Sequence, residues 1–202
     1  TGVYLIDAAG KATFRKPPAN KSVVVIPASI TVNQTTVPVT AISDKAFYRN
    51  KKLKTVTIGK NIKTIGGNAF SGCTGLTAVK GGAKVQLIRD GAFTGCTKLK
   101  TVPAFPKLTN VGVSAFKGCK SLISVTLGTG VNRIGKDAFN GCVKLKTVTV
   151  RTKKLKKSGI GKNCFKGICA KAVFKCPKTQ LTNYTRWLKN PGKAPATATF
   201  RK

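Results

Sequence analysis

Ile134-Gly135-Lys136-Asp137-Ala138-Phe139-Asn140-Gly141-Cys142 is the cleanest copy of a unit that recurs along this chain, and its recurrence decides the fold. The unit's phenylalanine returns as Phe47, Phe70, Phe93, Phe116 and Phe139 at intervals of 23 residues, and Phe165 follows after 26. Ala precedes the first five, as Ala46, Ala69, Ala92, Ala115 and Ala138, whereas Cys164 precedes the sixth. Other slots keep one chemical type per copy: Leu53, Leu76, Leu99, Leu122 and Leu145; Val56, Val79, Val102, Val125 and Val148; Ile42, Ile65, Ile88, Val111, Ile134 and Ile160. A fixed period of this length is the signature of stacked repeats.

Within a unit, Leu53-Lys54-Thr55-Val56-Thr57-Ile58 alternates apolar with Thr and reads as a short strand. The Ala-Phe segment reads as a helical turn, and the glycine two residues after Phe (Gly72, Gly95, Gly118, Gly141, Gly167) marks a turn with unusual backbone angles. One unit cannot bury its own Phe, Leu, Val and Ile. Stacked units can, each such side chain contributing roughly 1.5 to 3 kcal/mol, with the strands about 4.8 Å apart in a parallel sheet along one face. At the N-terminal end, residues 3–7 and 12–15 flank a turn at Ala9-Gly10, and residues 30–32 pair with 37–39, giving a β-hairpin cap. At the other end, Leu181, Tyr184 and Leu188 have helical spacing stopped by Pro191-Gly192, and residues 196–200 read as a final strand.

The pattern Ile-Gly-x-x-Ala-Phe-x-Gly-Cys-x-x-Leu-x-x-Val-x-Ile resembles the BspA-like (Treponema-type) leucine-rich-repeat family of bacterial surface proteins. The resemblance covers residues 42 to about 168. Departures are local: Gly81 and Ala104 replace the second apolar residue of the strand, and Arg89 stands where most copies have Gly. The expected fold is a repeat solenoid, mainly β with short helical turns, coiling right-handedly in 23-residue units. The N-terminal β cap is expected at 1–41, the solenoid at 42–168 and a C-terminal helix/strand cap at 169–202, all one continuous domain. The resemblance implies an extracellular or cell-surface binding or adhesion module.

Hydrophobic residues make up 41% of the 202, ordinary for a folded chain, but 38 Lys and Arg face only 4 acids, all Asp, for a formal +34. Such a field attracts polyanions and opposes compaction, so it concerns partners and not fold. Anionic cell-wall polymers, acidic or sulfated glycans, nucleic acid and anionic membrane surfaces are the candidate classes. The longest apolar runs fall far short of the roughly 20 residues a membrane span requires, and no signal-peptide pattern precedes Thr1. With no Met, the chain is expected to have lost something N-terminal, such as a signal peptide or an upstream domain.

Cys73, Cys96, Cys119 and Cys142 all follow the repeat Phe by three residues, a slot taken by Asn50 in the first copy and Ile168 in the last. They are expected to be buried, reduced core thiols. Cys164, Cys169 and Cys176 lie off this ladder, and a Cys169–Cys176 bond is left open. No His is present and no CxxC pair, so no metal site and no cofactor are expected. The same lack leaves no Ser-His or Cys-His pair, so no catalytic residue is assigned and no enzyme is expected. Asp44 and Asp90 occupy one slot two copies apart and read as caps of the Ala-Phe helical turn, and Gly81-Gly82 reads as a bulge or bend.

The lysines carry the binding hypothesis. Lys52 and Lys54 flank Leu53, Lys98 and Lys100 flank Leu99, and Lys144 and Lys146 flank Leu145, so each pair should face solvent. They recur every second coil, about 10 Å apart, near one Debye length. The densest cluster, Arg151, Lys153, Lys154, Lys156 and Lys157, lies where the spacing grows, and extra residues in a solenoid loop out on one face. The alternative is a solvated exterior, although a merely solubilised surface does not require the absence of Glu. The outward strand face carries Thr55, Thr57, Thr101, Thr126, Thr147 and Thr149, which could hydrogen-bond a glycan or extended peptide; Lys80 and Pro103 interrupt it. Of the aromatics outside the core, Tyr184 and Trp187 are expected to pack the C-terminal helix, leaving Tyr48. The partners expected are a protein, a glycan or an anionic cell-wall polymer, either for adhesion or for anchoring a larger secreted protein. Nucleic acid is disfavoured by the lack of a groove-reading helix.

Overall fold

Repeats of one length stack in register, and the computed structural model, which describes residues 2–202, is a β-solenoid built that way. On one face the strands Val23–Ile26, Thr55–Ile58 and Ala78–Gly81 pair in parallel, with Val24, Val56 and Val79 aligned. Further along, Ser124–Leu127, Thr147–Val150, Val173–Lys175 and Thr199–Arg201 do the same. In Thr55–Ile58 and Thr147–Val150, Val and Ile point inward and are buried, while the intervening Thr side chains are partly exposed.

The expected single sheet is therefore broken in the middle. Between the two groups only one bridge, Ala78 to Thr101, is formed. Pro103 lacks the N–H that would continue the ladder. The core is kept filled across coils: Phe105, with a positive φ of 43°, is buried one residue beyond Ala104, which continues the slot of Ile58 and Gly81. Its ring occupies the space opened at Gly82, where a Cβ would lie 2.8 Å from Phe105 Cε1. The Gly81-Gly82 bend and the irregular segment after Thr101 are one coupled adjustment.

A second parallel ladder, absent from the sequence reading, runs along another face. The strands Thr35–Ile42, Thr64–Ile65, Leu87–Ile88, Asn110–Val111 and Arg133–Ile134 pair in that order. Most are two residues long, too short to show an alternation.

The Ala-Phe corner is a correction to the sequence reading. It is not a helical turn but a succession of tight turns whose amides alternate between their own coil and the next. Ala69 N–H donates to Gly66 O within its coil, whereas Phe70 N–H donates 2.7 Å to Ala92 O of the next. The same cross-coil bond recurs at Phe47, Phe93 and Phe116, each at 2.7 Å. A continuous helix would point every amide along its own axis. This corner instead couples coils, and it stacks the Phe rings: from Phe14 through Phe47, Phe70, Phe93, Phe116 and Phe139 to Phe165, successive centroids are 4.7 to 5.4 Å apart with planes within 17°.

The ends are capped. Val3–Ile6 pairs antiparallel with Ala12–Lys16, which joins the second ladder in parallel, and Ser29–Val32 pairs antiparallel with Thr35–Ile42, placing Ile30 opposite Val37 and Val32 opposite Thr35. Helix α1 (Leu181–Lys189) buries Tyr184 and Leu188 at the other end. The last strand is Thr199–Arg201, displaced from the expected 196–200, and Phe200 stacks on Phe174 at 4.7 Å.

Candidate binding surface

The acidic residues are engaged by amide donors. Asp44 Oδ1 accepts from Gly67 N–H at 2.6 Å and Asp90 Oδ1 from Val113 N–H at 2.7 Å, each 23 residues on. They cap an amide of the next coil and not, as the sequence reading had it, a helical turn of their own. Asp7 closes the N-terminal hairpin turn by accepting from Ala9 and Lys11 amides, and Asp137 accepts from Asn140 Nδ2 at 2.8 Å. All four carboxylates are thus engaged by amide donors inside turns.

Lys52, Lys54, Lys98, Lys100, Lys144 and Lys146 are all exposed beside buried Leu53, Leu99 and Leu145. Lys51, Lys52, Lys54 and Lys98 line one depression of about 430 Å³ together with Gly75 and Thr77. Gly75 forms its floor because the chain there runs against the coil before it: a Cβ would strike the Lys51 carbonyl oxygen. Lys52 Nζ donates 2.7 Å to Asn20 Oδ1, fixing one rim.

The threonines are not brought together in one strip. Thr55 and Thr57 share the central strand of the first group, flanked by the exposed Val23 and Val25 of its neighbour. Thr126 aligns with Thr149 in the second group, where Thr147 also sits, while Thr101 lies at the break. The break separates the two sets.

Residues 151–157 are not a free loop. Thr152 is the one Ser, Thr, Asn, Gln or charged residue that is buried among the described residues. Its Oγ1 donates 2.6 Å to Val131 O and accepts from Lys154 N–H at 3.0 Å, and its carbonyl accepts from Tyr184 Oη at 3.0 Å. Leu155 is buried beside it. Arg151, Lys153, Lys154, Lys156 and Lys157 stay exposed, so the segment is a pinned backbone presenting five cations. Lys156 and Lys157 share a depression of about 660 Å³ with Ser158, Trp187 and Pro191. Trp187 is half-buried, packing against the core on one side and open on the other, which the sequence reading missed; Tyr184 is buried as expected.

The seven cysteines are free, Cys169 and Cys176 included. Cys73, Cys96, Cys119 and Cys142 donate Sγ–H to the carbonyls of Phe47, Phe70, Phe93 and Phe116 at 3.0 to 3.2 Å, each in the preceding coil. Burial pushes the Cys73 thiol up to about 12 and raises Cys96 and Cys164 still further above the usual thiol range. Cys119 is raised by hydrogen bonding to Cys142 and by burial. Cys73, Cys96 and Cys119, buried, raised and donating to the preceding coil, serve the structure, a raised thiol being a poor source of thiolate. Among the described residues no three His, Cys, Asp or Glu side chains converge as a metal site would need, and no helix is long and apolar enough to cross a membrane.

The family model described as BspA type leucine rich repeat region matches residues 38–182 in six copies. Among solved structures, a leucine-rich repeat protein from Bacteroides ovatus is 27% identical with a TM-score of 0.69; the match covers 88% of this chain and 46% of that one. The T. pallidum leucine rich repeat protein is 23% identical with a TM-score of 0.72, covering 98% of this chain and 96% of its own length. The pneumococcal vaccine antigen PcpA is 18% identical with a TM-score of 0.68, covering 90% of this chain and 41% of that one. The last two likenesses concern the fold alone, and this chain spans less than half of the first and third proteins. Among curated proteins, none matches this chain.

Proposed function

Taking as premise that this chain belongs to the BspA-type leucine-rich-repeat family, we propose that it is a non-catalytic binding module acting outside the cell, and that it holds a linear anionic polymer through its lysine-rich exterior. The carrying observation is the division of charge: 38 cations against 4 carboxylates, with every carboxylate accepting hydrogen bonds from amide groups inside turns. Solubility alone does not call for this imbalance, and strongly cationic surfaces bind nucleic acid and other polyanions. The exposed pairs Lys52/Lys54, Lys98/Lys100 and Lys144/Lys146, with the cluster from Arg151 to Lys157, are the proposed contacts. The lack of His and the nucleophile-poor, raised thiols support the non-catalytic reading.

Counterion release makes affinity for such a polymer fall log-linearly with salt. Neutralising Lys153, Lys154, Lys156 and Lys157 together should flatten that line more than neutralising Lys11, Lys16, Lys21 and Lys202, which removes the same net charge. Equal slopes would mean a diffuse field with no localised contact. Tight binding of a neutral glycan or a protein at high salt would favour adhesion through the Thr55/Thr57 or Thr126/Thr147/Thr149 faces instead.

A further inference from the structure

We propose that the depression between residues 156–158 and the end of helix α1 is a subsite for a pyranose ring carrying a carboxylate, a uronic-acid unit of an anionic glycan. This rests on the polyanion-binding reading and adds to it a defined position and a ligand class. The depression is lined by Trp187, Pro191, Lys156, Lys157 and Ser158. Two flat apolar side chains and two ammonium groups form a mixed surface that neither a neutral glycan nor a plain polyphosphate would use fully. The indole face carries negative quadrupole density, and the C–H bonds on one face of a pyranose present the complementary apolar, weakly positive surface. A carboxylate on the same ring would meet Lys156 or Lys157 in a charge-assisted hydrogen bond.

The walls of this depression are fixed to one another, which is what separates it from lysines elsewhere on the coil. On one side Thr152, buried and bonded to Val131 O, holds the segment that carries both lysines. On the other, Gly192 N–H donates to Trp187 O at 3.2 Å, Asn163 N–H donates to Pro191 O at 3.1 Å, and Phe165 N–H donates to Gly192 O at 2.8 Å, tying the helix end to the last repeat corner. Tyr184 Oη, one helical turn before Trp187, donates across to Thr152 O at 3.0 Å and joins the two sides directly. A preformed site loses less freedom on binding than mobile lysines would. An open, half-buried indole with lysines beside it has no packing role that requires the lysines.

Trp187 is the only tryptophan in the chain, so intrinsic fluorescence reports on this position alone. Oligogalacturonate, its methyl ester (the same ring uncharged) and inorganic polyphosphate (charge without a ring) separate the components. Oligogalacturonate should shift or quench the emission saturably. The methyl ester should bind at least about tenfold more weakly, and polyphosphate, held by the lysines without a ring to stack, should change the emission far less at saturation than oligogalacturonate does. Trp187→Ala should weaken oligogalacturonate at least about tenfold while leaving polyphosphate affinity in place. If that variant misfolds, Trp187→Leu, which keeps apolar bulk against the core but removes the aromatic face, should produce the same selective loss by calorimetry. Oligogalacturonate binding by calorimetry with no change in emission, or equal losses for oligogalacturonate and polyphosphate in the variants, would overturn the subsite and leave the polyanion reading standing. Binding of neither anion would overturn both.

Discussion

Phe93 sits mid-column, fully buried, with Phe70 at 5.0 Å and 3° on one side and Phe116 at 5.1 Å and 5° on the other. Its replacement by Ala should cost about 3 to 5 kcal/mol, because the coils are tied by parallel ladders on two faces and by the cross-coil amide bonds of the corner, and cannot collapse into the void. Phe93→Leu is the more informative change. It keeps most of the apolar burial but removes two stacked contacts, each worth about 0.5 to 1.5 kcal/mol beyond area, so about 1 to 3 kcal/mol should be lost. A double-mutant cycle should then find coupling of about 0.5 to 1.5 kcal/mol between Phe93 and Phe116, and less than about 0.5 between Phe93 and Phe139, which do not touch. Urea melts give the free energies, and the m-value checks that the solenoid still unfolds as one unit, since interrupting a repeat array can split its cooperativity. A Phe93→Leu loss below about 0.5 kcal/mol, or Phe93–Phe139 coupling as large as Phe93–Phe116, would show that the column is held by backbone ladders and not by its rings.

Gly118 has φ +71°, and an added Cβ would meet only the Gly95 backbone at 4.0 Å, an ordinary contact, so Gly118→Ala should cost only left-handed backbone strain, about 1 to 2 kcal/mol by denaturant melt. Gly82→Ala, at φ +74°, adds the collision with Phe105 and should cost roughly 1 to 3 kcal/mol more, an excess that Phe105→Leu should relieve. Asp90→Ala removes the acceptor of the Val113 amide and should destabilise by about 0.5 to 2 kcal/mol, while Asp90→Asn should recover most of the loss; equal effects would make the carboxylate's charge and not its bond the relevant property. The Cys73 thiol is raised when folded, so its contribution is complete below its unfolded value near 8.5 and is lost as pH climbs toward about 12. Between pH 8 and 10 the parent should therefore lose about 1 to 2 kcal/mol more stability than Cys73→Ala, the comparison cancelling the effect of lysine titration. Parallel pH profiles would mean that the thiol is as acidic folded as unfolded.

What the sequence makes legible here is whatever repeats with the coil. Phe, Leu, Val, Ile and Cys keep their slots because each packs on its own image in the next coil, so periodicity alone identified the core and the inward thiols. The slot two residues before Phe held an unused signal. Lys45, Asn68, Gly91, Ser114, Asp137 and Asn163 all have positive φ, and the run of Asn, Gly and Asp there argues for a tight turn against a helix. Asp44 and Asp90 were misplaced for a related reason: in a solenoid the neighbour of a residue is as often 23 positions away as three, and a capping rule drawn from single helices looks only along the chain.

Where the period fails, the chain gives no such guide. Phe105 fills the space beside Gly82 from the next coil, and only the two departures taken together make sense of each other. Residues 151–157 are the stronger case, because the longer step there suggests a loop displayed to solvent, and the lysines fit that picture residue by residue. Thr152 among them has an unremarkable side chain in sequence, yet its hydroxyl reaches back 21 positions to Val131 and its carbonyl takes a bond from Tyr184, 32 positions ahead. Those spacings match no repeat. The same contact that holds the cluster rigid brings it beside Trp187, so the feature that distinguishes this basic segment from the regular lysine columns depends on a joint between repeat and cap. A Thr152→Val change keeps the shape and removes the hydroxyl's two bonds, and should loosen the segment while leaving its charge intact. Faster amide hydrogen exchange confined to residues 151–157 is the expected readout. Unchanged exchange would place the anchoring in Leu155 and its packing instead.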